Sequence, residues 1–557
     1  MDNNISVELL QILKETDEKQ TVFWVGAGID IDTPTCLPSG RELTEFVLKN
    51  GFGDNKLSLL DHYKMQCDLI NQNCIYAELD GIPRLETVIG VLQRFENQNG
   101  KKKIPSFLNG FTRFADAQPN VTHFSLAELL HKGATIVTTN YDLCIPQAYS
   151  QLFSECENKL MRRQIGAGIF QYYSSNENVG KLYYIHGIAD QIESLGHSLK
   201  NVMQSLAGEF YEEIKQKYCE NNLFIFLGYS GLDNLDVNLM FESLHRIKKN
   251  SRAVCIVYPK AEITDAQIGL LEHFESNYHF EMYLDSFFGH YEELTVHPCE
   301  QNTENKKEIW KTEFHSYPKK FHIYIQMALA YELGIGLDVK ENELNNNDVE
   351  MYLEEWYINF YTSHLRVRKS YFATIKSFFS KTYDKYHRII SDSQIEKAVD
   401  TSSGKIGWAA VSPINATVKR LLKIYSIGRI FVPKQKIENI YEFVKTMLLH
   451  KYEDFDEVRV YYVLELCLAM LMAMKSPKNS SVEITGIIKK VSQEYSKVSM
   501  LDGVLNAECI YLKTEGILLK AKGTWREWKN YFVRIINYCK LLDQLERRDR
   551  ILQFWLR

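Results

Sequence analysis

The sequence has few of the features that mark secreted, membrane-spanning or zinc-clustered proteins. It contains 11 cysteines, and no two have the C-x-x-C spacing of a zinc ribbon or a redox dithiol. The longest apolar stretch, 461–474, is interrupted by Glu465 and is shorter than the roughly 20 residues that span a bilayer. The N-terminal residues lack the basic segment and apolar core of a secretory signal. We therefore expect reduced thiols and a cytoplasmic protein without a membrane span.

An excess of charge of one sign is also missing. The 65 basic and 71 acidic side chains leave a formal net charge of −6, so neither a nucleic-acid surface nor a membrane surface is expected. Hydrophobic residues make up 45% of the chain and charged residues 24%, which is typical of a soluble globular protein. A length of 557 residues predicts about two to four domains.

Five short apolar runs, separated by segments of helical periodicity, predict buried strands. They lie at 21–25, 134–138, 181–185, 222–227 and 253–257. Continuous apolar runs are typical of strands that are covered on both faces, and the alternation with helices indicates βαβ units. The first part of the chain is therefore predicted to be an α/β domain with a Rossmann-like parallel sheet.

The pattern changes near residue 300, where the segment 299–307 becomes polar and rich in Asn, Glu and Lys. We expect an α/β domain at 1–298, a linker at 299–316 and an all-helical domain at 317–557. Helical patterns in the last part run over 321–333, 349–389, 418–427, 437–450, 458–474, 482–495 and 525–545. They follow no clean repeat period.

Four of the predicted strands end in small polar or glycine-rich groups. In chain order these are Gly26-Ala27-Gly28, Thr139-Asn140-Tyr141-Asp142, His186-Gly187 and Gly228-Tyr229-Ser230. Because the carboxyl ends of parallel strands meet at one edge of a sheet, these groups can converge although they are far apart in sequence. Taken singly, each has an ordinary structural explanation. Asn140 suits a turn, His186 suits a buried hydrogen bond, and Asp142 suits a helix cap.

Together, and in this order, the four motifs resemble the sirtuin (SIR2) family over about residues 1–295. The wording Thr-Thr-Asn-Tyr-Asp and Gly-Tyr-Ser-Gly-x-Asp resembles bacterial SIR2-like defence effectors more than protein deacetylases. The resemblance implies NAD as substrate, with Asn140 and His186 as catalytic residues. It also implies nucleotide binding by Gly26, Ala27, Gly28, Asp30, Thr139, Asp142, Gly228, Ser230 and Asp233.

Two departures from the family pattern bear on function. Asp30 stands where the family often has Ser, and a carboxylate there repels a pyrophosphate unless it faces ribose hydroxyls or a helix N-terminus. The two C-x-x-C pairs of the deacetylase zinc module are missing, so no zinc is expected. Since that module helps to shape the acyl-peptide cleft, its loss favours water as the attacking partner. Three further histidines, His123, His131 and His197, have no ligand spacing and stay unassigned.

The expected activity is therefore NAD glycohydrolysis to nicotinamide and ADP-ribose. The alternatives are an NAD-dependent deacylase, an ADP-ribosyltransferase, and a nucleotide-sensing scaffold without catalysis. An unregulated NAD hydrolase would drain its own cell, so we expect control by the helical domain, by a homo-oligomer, or by an activator such as a phage protein or a partner ATPase. The resemblance to defence-associated proteins suggests an abortive-infection antiphage effector.

Overall fold

The computed structural model describes two compact units. The residues that it describes are 2–50, 59–99, 106–154, 158–166, 168–195, 208–232, 237–247, 251–259, 261–289, 291, 294, 310–312, 314–315, 317, 322, 325–326, 329, 333, 337–339, 365–367, 408–427, 434–449, 458–476, 480–497 and 500–545. The first unit draws on 1–47 and 85–317, and the second on 48–84 and 318–557. The segment 48–84 is thus enclosed in sequence by the first unit but belongs to the second.

These units differ from the predicted domains at two places. The sequence assigned 48–84 to the α/β domain and 299–316 to a linker. The described residues near 310–317 instead pack into the first unit, where the ring of Phe314 lies 5.0 Å from Phe107 and 5.3 Å from Phe111. The boundaries at 298 and 317 stay a prediction.

An eight-stranded sheet forms the centre of the first unit. Its strands are β1 (Thr21–Val25), β2 (Thr135–Thr138), β3 (Met161–Gly166), β4 (Ile169–Tyr173), β5 (Leu182–Tyr184), β6 (Leu223–Leu227), β7 (Arg252–Val257) and β8 (Ser276–Glu281), in the spatial order β3-β4-β5-β2-β1-β6-β7-β8. All pairs are parallel except β3–β4 and β4–β5. The six parallel strands follow the 3-2-1-4-5-6 order of doubly wound folds, whose winding reverses between β1 and β6.

Helices cover both faces of this sheet. Those of the first unit are α1 (Asp2–Lys14), α2 (Gly40–Asn50), α4 (Leu85–Asn99), α5 (Val121–His131), α6 (Cys144–Leu152), α7 (Glu209–Cys219), α8 (Val237–Ile247), α9 (Asp265–Leu271) and α10 (Leu284–Phe288); α3 (Leu59–Asn73) lies in the second unit. Successive residues of β1 point to opposite faces. Phe23 and Val25 enter one hydrophobic core with residues of α1 and α5, whereas Val22 and Trp24 enter another with residues of α7 and α8. Burial on both faces explains why β1 is apolar from Val22 to Val25.

The predicted α/β architecture with a Rossmann-like parallel sheet is confirmed, and all five predicted strands exist. Three further strands were not predicted. In β3, Arg162 and Arg163 are consecutive and exposed, since this strand forms an edge of the sheet. β4 pairs with it, and β8 forms the opposite edge. Edge strands carry polar residues because one side of the backbone faces no neighbour, so their hydrophobic signal is weak.

The second unit is mainly helical, as predicted. Its described helices after α3 are α11 (Trp408–Ile427), α12 (Lys434–Leu449), α13 (Val458–Lys475), α14 (Ser481–Lys497), α15 (Leu501–Lys522) and α16 (Trp525–Gln544). The short parallel strands β9 (Leu337–Val339) and β10 (Leu365–Val367) pair with each other. The helix predicted over 349–389 is therefore wrong at 365–367, and the rest of it lies outside the described residues. α15 was not predicted.

The segment 48–84 packs with the C-terminal helices. α3 packs on α15 and α16. Just beyond α3, the Ile75 amide donates to the Glu508 carboxylate at 3.2 Å, and the Glu78 amide donates to Ser496 Oγ at 3.1 Å. None of the helices in the described part of the chain is long and apolar enough to cross a membrane.

Candidate active site

The four polar strand ends predicted from the sequence follow four neighbouring strands of the sheet. In the observed register Val25 pairs with both Thr138 and Leu227, and Thr138 pairs with Tyr184. Two positions beyond these four residues come Ala27, Asn140, His186 and Tyr229. The groups therefore leave the sheet at the same level and on both sides of the point where the winding reverses. In open α/β sheets this edge is where ligands bind.

The glycines after β1 and β6 allow these two turns to touch backbone to backbone. The Gly28 amide donates to the Gly228 carbonyl at 2.9 Å. A Cβ at Gly28 would lie 2.6 Å from Gly228 Cα, closer than any real contact of that kind. Gly228 also has a φ of +55°, in the left-handed region that favours glycine. Both positions thus require glycine for the packing of the turns.

Asn140 is held from three directions. Its backbone amide donates to Thr138 Oγ1 at 3.0 Å, and its side-chain Nδ2 donates to the Gly26 carbonyl at 3.2 Å and to Asp30 Oδ2 at 2.8 Å. Because both Nδ2 partners are acceptors, the orientation of the amide is fixed. The side chain is only 6% exposed, and its Oδ1 has no hydrogen-bond partner within the described structure. Oδ1 is therefore a buried acceptor available to a hydroxyl group or a water molecule.

Asp30 is the residue that orients Asn140. The resemblance assigns Asp30 to nucleotide binding, which stays a prediction. In the structure Asp30 is only 3% exposed, and both of its carboxylate oxygens lie within hydrogen-bond distance of protein groups. Oδ2 accepts from Asn140, and Oδ1 lies 2.9 Å from His123 Nε2. Burial raises the pKa of Asp30 to about 8, against the lowering effect of a hydrogen bond with Asp142.

Asp142 neighbours Asp30 and lies two residues before the start of α6. Its Oδ1 accepts from the amide of Cys144, the first residue of α6, at 2.8 Å, while the N-cap position itself is Leu143. Burial, and then the charge of Asp30, raise the pKa of Asp142 to about 7. Two buried carboxyl groups this close resist carrying two charges, so we assign a shared proton to the pair near neutral pH. The hydrogen bonds that orient the Asn140 amide involve Asp30 and Gly26.

His123, which the sequence left unassigned, is part of the same network. It occupies the third position of α5 after the cap Asn120, and the Asn120 amide donates to His123 Nδ1 at 3.1 Å. A backbone amide can only donate, so Nδ1 carries no proton and Nε2–H donates to Asp30. Burial lowers the pKa of His123 to about 4, which agrees with a neutral ring. A possible signal was the Asn-x-x-His spacing at a predicted helix start.

The ligand atoms of His123, Asp142 and Cys144 lie within 4.8 Å of one another, close enough to raise the question of a metal. Their chemistry does not suit one in this arrangement. Both ring nitrogens of His123 are engaged, with Asn120 and with Asp30. The Cys144 thiol donates to the Ala117 carbonyl at 3.6 Å. His123 is thus bonded to Asn120 and Asp30, and Asp142 to the Cys144 amide, which describes these residues as parts of a hydrogen-bonded network.

The remaining predicted residues lie around this edge at different depths. His186 is buried just after β5, and the preceding Ile185 amide donates to the Thr138 carbonyl at 3.1 Å. The Thr139 amide donates to the Val25 carbonyl at 3.1 Å.

Ser230 is exposed, and its Oγ accepts from the Leu232 amide at 3.4 Å. Asp233 and His197 lie outside the described residues. His131 belongs to α5 and stacks on Phe153, 3.8 Å from ring to ring.

A doubly wound sheet with a buried polar network at its switch point defines a nucleotide-binding class of α/β protein. Comparison with protein families makes this more specific. Residues 134–283 match the family model of the SIR2-like domain. The resemblance to the SIR2 family is thereby confirmed, and the matched region contains Asn140, His186 and Gly228 but not the turn with Gly26 and Asp30. No curated protein matches the chain. A SIR2-like domain fits NAD-related chemistry.

Proposed function

We propose that the protein is an NAD glycohydrolase that releases nicotinamide and ADP-ribose. The observation that carries the proposal is the orientation of the Asn140 amide by Gly26 and Asp30, at the sheet edge where the winding of a SIR2-like domain reverses. The buried Oδ1 of this amide has no hydrogen-bond partner among the described residues. Cleavage of the nicotinamide–ribose bond builds positive charge on the ribose. A neutral amide can hold a ribose hydroxyl or a water molecule there without introducing a further charge.

His186 is the proposed general base. The imidazole pKa lies nearest to neutrality among unperturbed side chains, and His186 leaves β5 at the same level at which Asn140 leaves β2. It would accept a proton from the ribose hydroxyl or from the attacking water. General-base assistance is worth about 10²–10⁴-fold in rate, so we expect His186→Ala to lose activity on that scale.

The nucleotide would lie along the turns after β1 and β6. We assign its contacts to the exposed or backbone groups of Gly26, Ala27, Gly28, Thr139, Gly228 and Ser230, and the sequence adds Asp233, which lies outside the described residues. Asp30 and Asp142 are buried, so their proposed part is to hold the site together rather than to touch NAD. This division differs from the sequence-based assignment, which gave both carboxylates direct contacts with the nucleotide.

Product analysis tests the reaction. Cells that express the wild-type chain, Asn140→Ala or His186→Ala would be assayed for NAD, nicotinamide and ADP-ribose before and after phage infection, so that a cellular activator is present. Asn178→Ala, a change of an exposed amide, is the matched control. We expect NAD to fall only with the wild type and the control. NAD levels that are identical for the wild type and Asn140→Ala would refute the proposal.

The same assay separates the alternative enzymes. Free ADP-ribose supports hydrolysis, O-acyl-ADP-ribose supports deacylation, and a modified macromolecule supports ADP-ribosyl transfer. Tight NAD binding without turnover would favour a sensing scaffold. The missing C-x-x-C pairs favour hydrolysis, since no zinc module is present to shape an acyl-peptide cleft.

We further propose that the helical unit, a homo-oligomer or an activator controls the enzyme in antiphage defence. This step rests on the resemblance of the sequence to defence-associated SIR2 proteins and on the division into two units. Plaque counts on cells with the wild type and with Asn140→Ala test it: equal counts would argue against defence.

A truncation that tests the control must remove 48–84 together with 318–557. Otherwise the apolar face of α3, with Leu60, Tyr63 and Ile70, would lose the helices that cover it.

A further inference from the structure

We propose that Asp30 and His123 are positioning residues that fix the Asn140 amide for the reaction, an inference that rests on the proposed function. Neither touches the reacting atoms. They act through Asn140, and the four strand-end motifs of the sequence include neither of them.

The geometry is a chain of hydrogen bonds that converges on the Asp30 carboxylate from both ends. The Asn120 amide donates to His123 Nδ1 at 3.1 Å, and His123 Nε2 donates to Asp30 Oδ1 at 2.9 Å. The Asn140 Nδ2 group donates to Asp30 Oδ2 at 2.8 Å. Since a backbone amide only donates, the tautomer of His123 is set at the start of the chain. Asp30 must then receive donors on both oxygens, and Asn140 must turn Nδ2 toward it.

Both ends of this chain of hydrogen bonds are also bonded to the backbone of the turn after β1. Asn120 Nδ2 donates to the Ile29 carbonyl at 2.8 Å, which ties the start of α5 to the turn that carries Asp30. At the other end Asn140 Nδ2 also donates to the Gly26 carbonyl. The His123 side chain is fully buried, so water cannot replace its bond to Asp30. A flipped Asn140 amide would set its oxygen against two acceptors and lose both bonds.

The consequence for chemistry is a fixed acceptor. With Nδ2 committed to Asp30 and Gly26, only Asn140 Oδ1 remains for a ribose hydroxyl or a water molecule. A misplacement of about 1 Å in such a group can cost about 10²-fold in rate. His123 and Asp30 therefore affect kcat by holding Asn140, without contributing to substrate affinity themselves.

Two substitutions of His123 separate positioning from packing. In His123→Asn the side chain is short, so it reaches the Asn120 amide but not Asp30. In His123→Gln the longer side chain places an amide donor near the former Nε2 and restores the bond to Asp30. His131→Asn is a control on the same helix, where the ring bonds to Tyr149 rather than to the site.

We expect His123→Asn to lower kcat for NAD consumption by about 10–100-fold, with KM changed by less than about 3-fold. His123→Gln should recover most of the lost kcat. His131→Asn should alter the unfolding temperature Tm without altering kcat. If His123→Asn and His123→Gln lost activity equally, in proportion to their loss of Tm, the role of His123 would be structural and the inference would be overturned.

The pH profile provides a readout that packing alone would not move. The groups that act on the Asp30–Asp142 pair are His123 from α5, Cys144 from α6 and Tyr184 from β5. A second proton on the pair must go to an oxygen that already accepts a hydrogen bond, so activity should fall on the acid side. Loss of the hydrogen bond from His123 destabilises the deprotonated form of the Asp30–Asp142 pair and so raises the pKa of the pair. The acid limb should therefore move to higher pH in His123→Asn and return in His123→Gln.

The outcomes distinguish this inference from the proposed function. If the wild type consumes no NAD under any condition, the function fails, and the inference is tested by Tm against pH. An acid whose pKa is raised on folding makes stability fall as pH rises, here from about 4 toward about 8. In His123→Asn the fall should extend to higher pH than in His123→Gln. Superimposable Tm curves for these two variants would overturn the inference.

Discussion

Replacing Asn140 with Asp exchanges the side-chain NH2 group for an oxygen at the centre of the site. The resulting loss in the free energy of unfolding can be worked out from the hydrogen bonds of that group. The wild-type Nδ2 donates to Asp30 Oδ2 at 2.8 Å and to the Gly26 carbonyl at 3.2 Å. In Asn140→Asp an oxygen takes the place of this nitrogen and faces two acceptors. The variant keeps the shape of the side chain, so packing is unchanged and the electrostatic effect is isolated.

The magnitude follows from the two lost hydrogen bonds. The bond to Asp30, whose carboxyl group shares a proton with Asp142, contributes about 0.5–3 kcal/mol and the neutral bond to Gly26 about 0.5–1.5 kcal/mol, so the free energy of unfolding should fall by about 1–4.5 kcal/mol. At about 2–4 °C per kcal/mol for a unit of this size, a central value of about 3 kcal/mol lowers Tm by roughly 6–12 °C.

The loss of stability in Asn140→Asp should also depend on pH. Burial and the neighbouring Asp30 raise the pKa of the introduced carboxyl group, and its protonated form can donate one hydrogen bond again. The deficit should therefore be larger at pH 8 than at pH 5. Calorimetry on the wild type and the variant at both values measures it. Asn178→Asp, at an exposed site, should change stability by less than about 0.5 kcal/mol. A Tm within about 1 °C of the wild type at pH 8 would refute the proposed hydrogen bonding of Asn140.

Two further changes test the packing of the turns and a buried carboxylate. Gly28→Ala places a Cβ 2.6 Å from Gly228 Cα, so it should lower the free energy of unfolding by about 1–3 kcal/mol and abolish activity. The control is Gly269→Ala, in a helix where the added Cβ meets nothing within 4 Å; it should leave the free energy of unfolding unchanged or raise it by up to about 1 kcal/mol. Equal Tm values for the two variants would contradict this. Burial raises the pKa of Glu508 to about 7, so its contribution to stability falls as pH rises from about 4.5 to 7. Glu508→Gln, whose oxygen can still accept from Ile75, should gain Tm relative to the wild type at pH 8 but not at pH 5.

The parallel strands could be predicted because buried strands consist mostly of apolar residues. β1 and β6 are buried at every position, and apart from Thr21 all of their residues are apolar. β3 could not be predicted in the same way. Its residues Arg162 and Arg163 are exposed and form ion pairs with Asp190 and Glu209. Such a segment has the composition of a loop, and only its pairing with β4 makes it a strand.

The site was predicted at the level of motifs but not of contacts. Asn140 and its strand could be found because the end of a buried run marks the ligand edge of the sheet. Which carboxylate holds the amide could not, because both Asp30 and Asp142 follow strands that end there, and the direction of a side chain within a turn is set by the local backbone. His123 lies on a helix and is completely buried, so from the sequence it resembles any polar residue at a core position.

The membership of 48–84 in the second unit has a consequence for synthesis of the chain. The Ile75 amide and its partner Glu508 are 433 positions apart, and at about 5–20 residues per second the ribosome needs roughly 20–90 s to bridge that interval. During this time the first unit can acquire its strands and helices, while the buried face of α3 still lacks its partners. The nascent protein therefore carries an uncovered apolar helix for most of its translation. Shielding of that helix, by a chaperone or by temporary contacts, sets a limit on how fast and at what temperature the protein can be produced without aggregation.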